Sequence, residues 1–126
     1  MLLRFVSAAV ALTSFFSASA FAYNLKGAWY GSPDCLVQFW HDDGMSVRGN
    51  CYTGSVDAVY HEFQGQYIQQ NMISGTITRK DPSGCREQQP FTITFMNQNT
   101  VNYFQKGWKA CGLDLPDGTQ SWKRQR

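Results

Sequence analysis

The chain has 126 residues and carries 11 Lys and Arg against nine Asp and Glu, a formal net charge of +2. This near-neutral balance, without a basic block, argues against a nucleic-acid binder, whose affinity comes largely from phosphate neutralisation. An aromatic content of 15% argues against a disordered chain, and the length fits one small domain.

The first 22 residues have the layout of a secretory signal peptide. Arg4 precedes an apolar run from Val6 to Phe16, and small residues lead to cleavage after Ala20 or Ala22. The run is too short for a membrane span, which needs roughly 20 apolar residues. We therefore predict a signal peptide over 1–22, and one secreted or periplasmic domain over 23–126 with no membrane span.

Residues 23–126 show short segments separated by turns. Turn-forming runs recur roughly every 8 to 14 residues, and no window carries an apolar stripe of helical period. We predict an all-β fold, a single antiparallel up-and-down β-barrel of about eight strands, with a small β-sandwich as the alternative. The stretch from Lys106 to Asp117 is predicted as a loop. The predicted strands lie near 25–30, 35–41, 45–53, 58–69, 72–80, 88–96, 100–106 and 119–124.

Apolar residues alternate with polar residues in several of these strands. Val37 and Phe39, for example, lie on the face opposite Gln38. Alternation of this kind is typical of antiparallel strands with one buried and one solvated face. The other residues that it places on the buried face are Phe63, Gly65, Tyr67, Ile73, Gly75, Ile77, Phe91, Ile93 and Phe95.

Four cysteines behind a signal peptide predict two disulfides. A three-residue hairpin loop over 42–44 would place Cys35 opposite Cys51, and in the same register Phe39 opposite Val47. Opposed Cβ atoms in a hairpin lie about 4.5–5.5 Å apart, close to the separation that a disulfide needs. The first predicted bridge is therefore Cys35–Cys51.

The second pair follows from the same reasoning. A three-residue loop over 97–99 would place Ile93 opposite Tyr103 and Cys85 opposite Cys111. We predict the bridge Cys85–Cys111. Both bridges are expected to be structural, since a small domain buries little surface and each disulfide typically contributes about 2–4 kcal/mol.

Candidate catalytic groups are few, since the chain has only two histidines. His41 precedes Asp42 and Asp43, but these residues lead into a tight Asp-Gly turn, which accounts for the aspartates. His61 and Glu62 point to opposite faces of a strand. Because no acid–base, nucleophile or metal-ligand set is complete, we expect no enzymatic activity, no catalytic residue, no metal and no cofactor.

Short motifs occur at the two ends of the predicted domain. Gly27-Ala28-Trp29 is a G-x-W motif, and the chain closes with Ser121-Trp122-Lys123-Arg124. This resembles the calycin superfamily, which includes lipocalins and avidins, where an N-terminal G-x-W packs against a basic residue of the last strand. The resemblance implies an eight-stranded barrel in which Gly27 and Trp29 close one end and Lys123 or Arg124 covers it.

A calycin-like barrel implies a binding protein whose ligand enters the mouth of the barrel. We expect a monomer that binds a small apolar or aromatic molecule in a concave, largely preformed site. The inward-facing residues predicted to contact that ligand are Phe63, Tyr67, Ile77, Phe95 and Tyr103.

A second resemblance implies a different partner. The spacing of Cys35 and Cys51 is similar to that in MAX effectors, small secreted β-sandwich proteins of plant-pathogenic fungi that recognise host proteins. The alternative function is therefore a protein–protein interaction module, an effector or inhibitor of a host or competitor protein. Trp40, Arg48 and Tyr52, predicted on the outer face, are the candidate partner-binding residues.

Overall fold

Ten β-strands make up the described part of the protein. The computed structural model describes residues 23–32, 35–52, 60–110 and 112–125, and none of these residues is helical. The predicted signal peptide lies outside them. The strands are β1 (Gly27–Tyr30), β2 (Leu36–Asp42), β3 (Ser46–Tyr52), β4 (Tyr60–Gln69), β5 (Met72–Lys80), β6 (Arg86–Asn97), β7 (Thr100–Gln105), β8 (Trp108–Ala110), β9 (Leu113–Leu115) and β10 (Gly118–Arg124).

Eight of these strands form a closed antiparallel barrel. The order around the barrel is β1, β10, β7, β6, β5, β4, β3 and β2. Consecutive strands from β1 to β7 pair with each other, β10 follows β7 in the barrel, and β10 returns to pair with β1. This confirms the predicted all-β barrel over the β-sandwich alternative. All eight predicted strands are present, with ends that shift by up to two residues.

The prediction of a loop between Lys106 and Asp117 is wrong in part. β8 and β9 form a two-stranded sheet of their own, with Trp108 opposite Leu115 and Ala110 opposite Leu113. Each strand has only three residues. That is too short for alternation to be visible, because period-2 patterning needs a run of about four to eight residues.

The core of the barrel is filled by the side chains that alternation places inside. Each barrel strand contributes at least one, and aromatic rings dominate the centre, where Phe63 contacts Phe91, Tyr103 and Trp122 edge-on. An eight-stranded barrel is just wide enough for such filling. The buried residues are Leu25, Trp29, Val37, Phe39, Val47, Cys51, Phe63, Ile73, Ile77, Phe91, Ile93, Phe95, Val101, Tyr103 and Trp122.

Two glycines make room for these rings. Gly65 on β4 lies directly opposite Gly75 on β5. A Cβ atom on Gly75 would lie 2.1 Å from the Gln64 carbonyl oxygen and 2.8 Å from Cζ of Phe91. Any larger residue would collide with backbone, so the inward alternation of β5 requires glycine here.

The first disulfide is present, but in a different register from the predicted one. Cys35 and Cys51 are bonded, with their Cα atoms 5.6 Å apart. In the sheet, however, Cys51 lies opposite Val37 and Phe39 lies opposite Gly49, not Val47. The bridge is therefore diagonal, joining Cys51 to the residue just before β2. A β-bulge between Phe39 and His41 shifts the pairing near the turn, which simple counting from the turn cannot anticipate.

The register of the β6–β7 hairpin is confirmed. Ile93 lies opposite Tyr103, and the same register continues to Phe91 and Gln105. Cys111 lies outside the described residues, so the bridge Cys85–Cys111 stays a prediction.

Peptide mapping under non-reducing conditions tests that second bridge. We expect one linked peptide pair containing Cys35 and Cys51 and another containing Cys85 and Cys111. Because the first pair is fixed by the fold, the second is the only intramolecular pairing left to four cysteines. Recovery of Cys85 as an alkylated thiol would contradict the prediction.

One end of the barrel, which we call the latch end, is closed by Arg124. Its guanidinium carbon lies 4.4 Å from the centroid of the Trp29 ring. Its nitrogens donate hydrogen bonds to the carbonyl oxygens of Asn24, Lys26 and Gln98. Arg124 thus joins β10 to the residues that precede β1 and to the β6–β7 turn. Lys123 is exposed on the same strand.

Asp42 and Tyr67 add a second set of contacts at the latch end. The Tyr67 hydroxyl donates to a carboxylate oxygen of Asp42 at 2.5 Å, and the same oxygen accepts from the backbone N–H of Leu25 at 2.7 Å. Burial and the hydrogen bond to Asp42 raise the pKa of Tyr67. The ring of Tyr23 stacks on Phe95 at 4.8 Å between centroids. The segment from Tyr23 to Lys26 is therefore held across this end.

Replacing Arg124 with Met is expected to lower the free energy of unfolding by about 2–4 kcal/mol. The change removes a cation–π contact and charged hydrogen bonds to three carbonyl groups. The matched control is Lys123→Met, which removes the same charge from an exposed neighbouring position and should change stability by less than about 0.5 kcal/mol. Urea unfolding followed by circular dichroism measures both, and equal losses in the two variants would contradict the role assigned to Arg124.

Candidate functional site

A partly open cavity of about 80 Å³ lies at the opposite end of the barrel, which we call the cystine end. The disulfide forms part of its wall, and His61 lies next to it on β4, opposite Cys51. The floor is apolar and is made by Phe63, Ile77 and the stacked rings of Tyr103 and Trp122, whose centroids are 4.4 Å apart. The cavity thus has an apolar floor beneath a polar rim.

The most unusual residue of this cavity is Arg79. It follows Ile73, Gly75 and Ile77 in the inward alternation of β5 and is only 9% exposed. Its Nε atom is buried and has no hydrogen-bond partner among the residues that the structure describes. A buried polar group without a partner is rare in folded proteins, and a buried charge without one is costly. Arg79 therefore demands an explanation that packing alone does not supply.

The amide groups of Gln105 and Gln120 face the same cavity with their oxygens already engaged. The Tyr103 hydroxyl donates to Oε1 of Gln105 at 2.5 Å, and the indole N–H of Trp122 donates to Oε1 of Gln120 at 2.8 Å. Burial raises the pKa of Tyr103, which keeps its hydroxyl protonated as the donor. Each glutamine therefore has its Nε2 group left for further hydrogen bonds.

Charges around the cavity are sparse. Glu87 lies opposite Arg79 across β5 and β6 and shares the inward-facing side, where it is half-buried. Within the described ranges the ion pairs closer than 4.0 Å are His41–Asp43 and Lys80–Glu62, so the Arg79 guanidinium is not paired with Glu87 at that distance. Asp81, two residues further along the chain, is near enough that the charge of Arg79 helps to lower the pKa of its carboxyl. Within the described ranges Arg79 thus faces the cavity with carboxylates nearby but none in an ion pair with it.

The cavity wall also contains the one cluster with metal-ligand residue types that the described part of the chain shows. The sulfur atoms of Cys35 and Cys51 and a ring nitrogen of His61 lie within 4.8 Å of one another. Both sulfurs are joined in the disulfide, whereas metal binding by cysteine requires the thiolate. The cluster in this state is a cystine beside a histidine and not a metal centre.

The five predicted ligand-contacting residues do not lie together. Phe63, Ile77 and Tyr103 line the cavity at the cystine end. Tyr67 and Phe95 lie at the latch end, where Tyr67 bonds to Asp42 and Phe95 supports Tyr23. Alternation identified inward-facing residues but not the end of the barrel to which each belongs.

The structure describes the side chains of two of the three predicted partner-binding residues, Trp40 and Arg48. Trp40 is 54% exposed on the outside of β2, as alternation predicted. Arg48 lines a polar groove of about 390 Å³ on the outside of β3 to β6, together with residues such as Gln64 and Thr76, whereas Trp40 does not line it. The side chain of Tyr52 lies outside the described part of the structure.

The residues at the β2–β3 turn have the structural role expected for them. The Asp43 carboxylate accepts the backbone N–H groups of Met45 and Ser46, and these bonds lower its pKa. Asp42 accepts the backbone N–H of Gly44 in addition to its contacts at the latch end. His41 lies 3.5 Å from Asp43 at the surface. The two aspartates serve the turn and the latch.

Comparison of the chain with protein-family models, with curated proteins and with solved structures finds no match. Across the described ranges, no helix is long and apolar enough to cross a membrane.

Replacing Arg79 with Met is expected to raise the free energy of unfolding by about 1–3 kcal/mol. The change removes a buried cation whose Nε has no partner and keeps an unbranched apolar side chain in its place. Arg86→Met, at an exposed position of β6 near the same end, loses the same charge and should have an effect within about 0.5 kcal/mol. Urea unfolding measures both variants, and a marked destabilisation by Arg79→Met would show that the guanidinium has a structural role.

Proposed function

We propose that the protein is a non-enzymatic, extracytoplasmic binding protein that takes one end of a small molecule into the cavity at the cystine end. The observation that carries this proposal is the buried Arg79 guanidinium, which faces the cavity with no partner for its Nε. Burial of such a group has a cost in stability that a purely structural barrel would avoid. A ligand that accepts hydrogen bonds from the guanidinium would offset this cost.

The size of the cavity limits what enters it. Drug-sized ligands occupy pockets of about 300–1,000 Å³, and a liquid water molecule takes about 30 Å³. A cavity of about 80 Å³ therefore accepts a group of a few heavy atoms, with the rest of the molecule outside the mouth. This differs from the fully enclosed apolar ligand that a lipocalin-like barrel suggests, because aromatic side chains already fill the centre.

Two further features support an extracytoplasmic location and a calycin-like barrel. The N-terminal 22 residues have the pattern of a signal peptide, and the Cys35–Cys51 bridge is compatible with an oxidising compartment. Arg124 over Trp29 is the contact that the calycin superfamily would place at the closed end of its barrel. We propose a calycin-like binding barrel on these grounds, with the mouth at the end opposite the latch.

Native mass spectrometry of the protein secreted by its own cells tests the proposal. We expect a species heavier than the bare chain, which is lost when Ser32→Trp fills the mouth. Ser32 lines the cavity and is half-buried, so an indole there would occupy the entrance. Ser74→Trp is the matched control, because Ser74 is exposed in the outer groove on β5.

A second function, protein–protein recognition, is favoured by the exposed Trp40. Large aromatic residues at the surface are typical anchors of protein interfaces. In that case the mass of the secreted protein would be that of the bare chain in every variant. Trp40→Ala would abolish capture of a partner, while Tyr30→Ala, equally 54% exposed but on β1, would not. That combination of results would contradict the proposed small-molecule site.

A further inference from the structure

The donors around the cavity define the chemistry of the group that fits it. We propose that the cystine end recognises the carboxylate of a small organic acid, with Arg79 as its principal contact. This rests on the proposed function and names the class of ligand. Three observations support it: the Arg79 guanidinium whose Nε has no partner among the described residues, the amide groups of two glutamines and the charges near the cavity.

The first support is that the polar atoms left unengaged around the cavity are hydrogen-bond donors. The indole of Trp122 is only a donor, so the Gln120 atom that faces it must be the oxygen, which leaves the amide nitrogen unengaged. In the structure Gln105 likewise places its Oε1 at the Tyr103 hydroxyl. Together with Arg79, these groups offer N–H donors to a common cavity. A ligand group with several acceptor oxygens and no donor of its own is the complement.

The charges near the cavity distinguish a carboxylate from a phosphate, both of which are rich in acceptor oxygens. The guanidinium of Arg79 is one positive charge, and two carboxylates already offset it, Glu87 on the same inward-facing side of the neighbouring strand and Asp81 just after β5. A phosphate group with nearly two negative charges would be poorly compensated there. A carboxylate carries one charge, and its planar pair of oxygens matches the fork of a guanidinium.

The walls of the cavity specify the rest of the molecule. Phe63, Ile77 and the stacked pair of Tyr103 and Trp122 make an apolar surface next to the donors. A carboxylate held by the donors of the rim, with the edge of a compact apolar or aromatic body directed at the floor, uses both parts of the site. We therefore choose benzoate as the probe and benzamide, nearly the same shape without the charge, as its neutral counterpart.

The test is a titration of the ¹⁵N-labelled, disulfide-bonded protein followed by NMR. Benzoate is expected to give saturable shifts of the Trp122 indole N–H and the Arg79 side-chain N–H signals. Benzamide should bind at least about tenfold more weakly, and inorganic phosphate should leave both signals in place. Assignments come from Trp122→Phe and Arg79→Lys.

Variants separate the role of Arg79 from general electrostatics. Arg79→Met should weaken benzoate binding by at least about tenfold, whereas Arg86→Met, with the same loss of charge at an exposed site, should change it less than about twofold. A dispersed spectrum shows that each variant is folded. Equal binding of benzoate and benzamide, or unchanged binding by Arg79→Met, would overturn the inference.

The two proposals fail in different ways. If benzoate and phosphate leave the cystine end unperturbed while the secreted protein still carries a ligand that Ser32→Trp displaces, the carboxylate inference is wrong and the binding function stands. If phosphate shifts the Arg79 signal and benzoate does not, the ligand group is a different anion and the inference is likewise wrong. If no ligand is carried and no titrant perturbs the cavity, both proposals fail.

Discussion

Closure of the barrel depends on the contact between Arg124 and Trp29. A sheet becomes a barrel only if its last strand meets its first, and here β1 and β10 share just two opposed residue pairs, against six between β10 and β7. The guanidinium over the indole, and its bonds to three carbonyl groups, hold together the seam with the fewest backbone contacts. The other paired barrel strands are consecutive in the chain except β7 and β10, between which β8 and β9 form their own sheet.

The packing that follows from closure explains why the cavity is small and lies at one end. Gly65 and Gly75 bring β4 and β5 close enough for Phe91 to pack against their backbone. The rings of Phe63, Tyr103 and Trp122 then fill the middle of the barrel. Space remains only where these rings end and polar side chains take over, beside the disulfide. The filled core and the polar mouth are consequences of the same alternation.

Sequence patterns predicted the strands well because alternation is a local property. They were wrong about the β2–β3 register, because the bulge near Trp40 depends on packing that no turn motif encodes. They missed Arg79 as a site residue, although the series Ile73, Gly75, Ile77 already placed it on the inward side. Nothing in the sequence shows that its Nε lacks a partner, because that depends on which side chains of four other strands reach it.

The latch also determines how the domain can be handled and tethered. Tyr23 and Gln125 both lie at the end that Arg124 closes, since Tyr67 bonds to the Tyr23 carbonyl and the Gln125 N–H bonds to Ala28. A group attached through the chain at Tyr23 or at Gln125 would therefore stand at the end of the barrel opposite the cystine end. An immobilised or fused form held at either residue would present the cystine end outward. A short linker between Tyr23 and Gln125 would allow new ends to be cut in a turn without crossing the cavity.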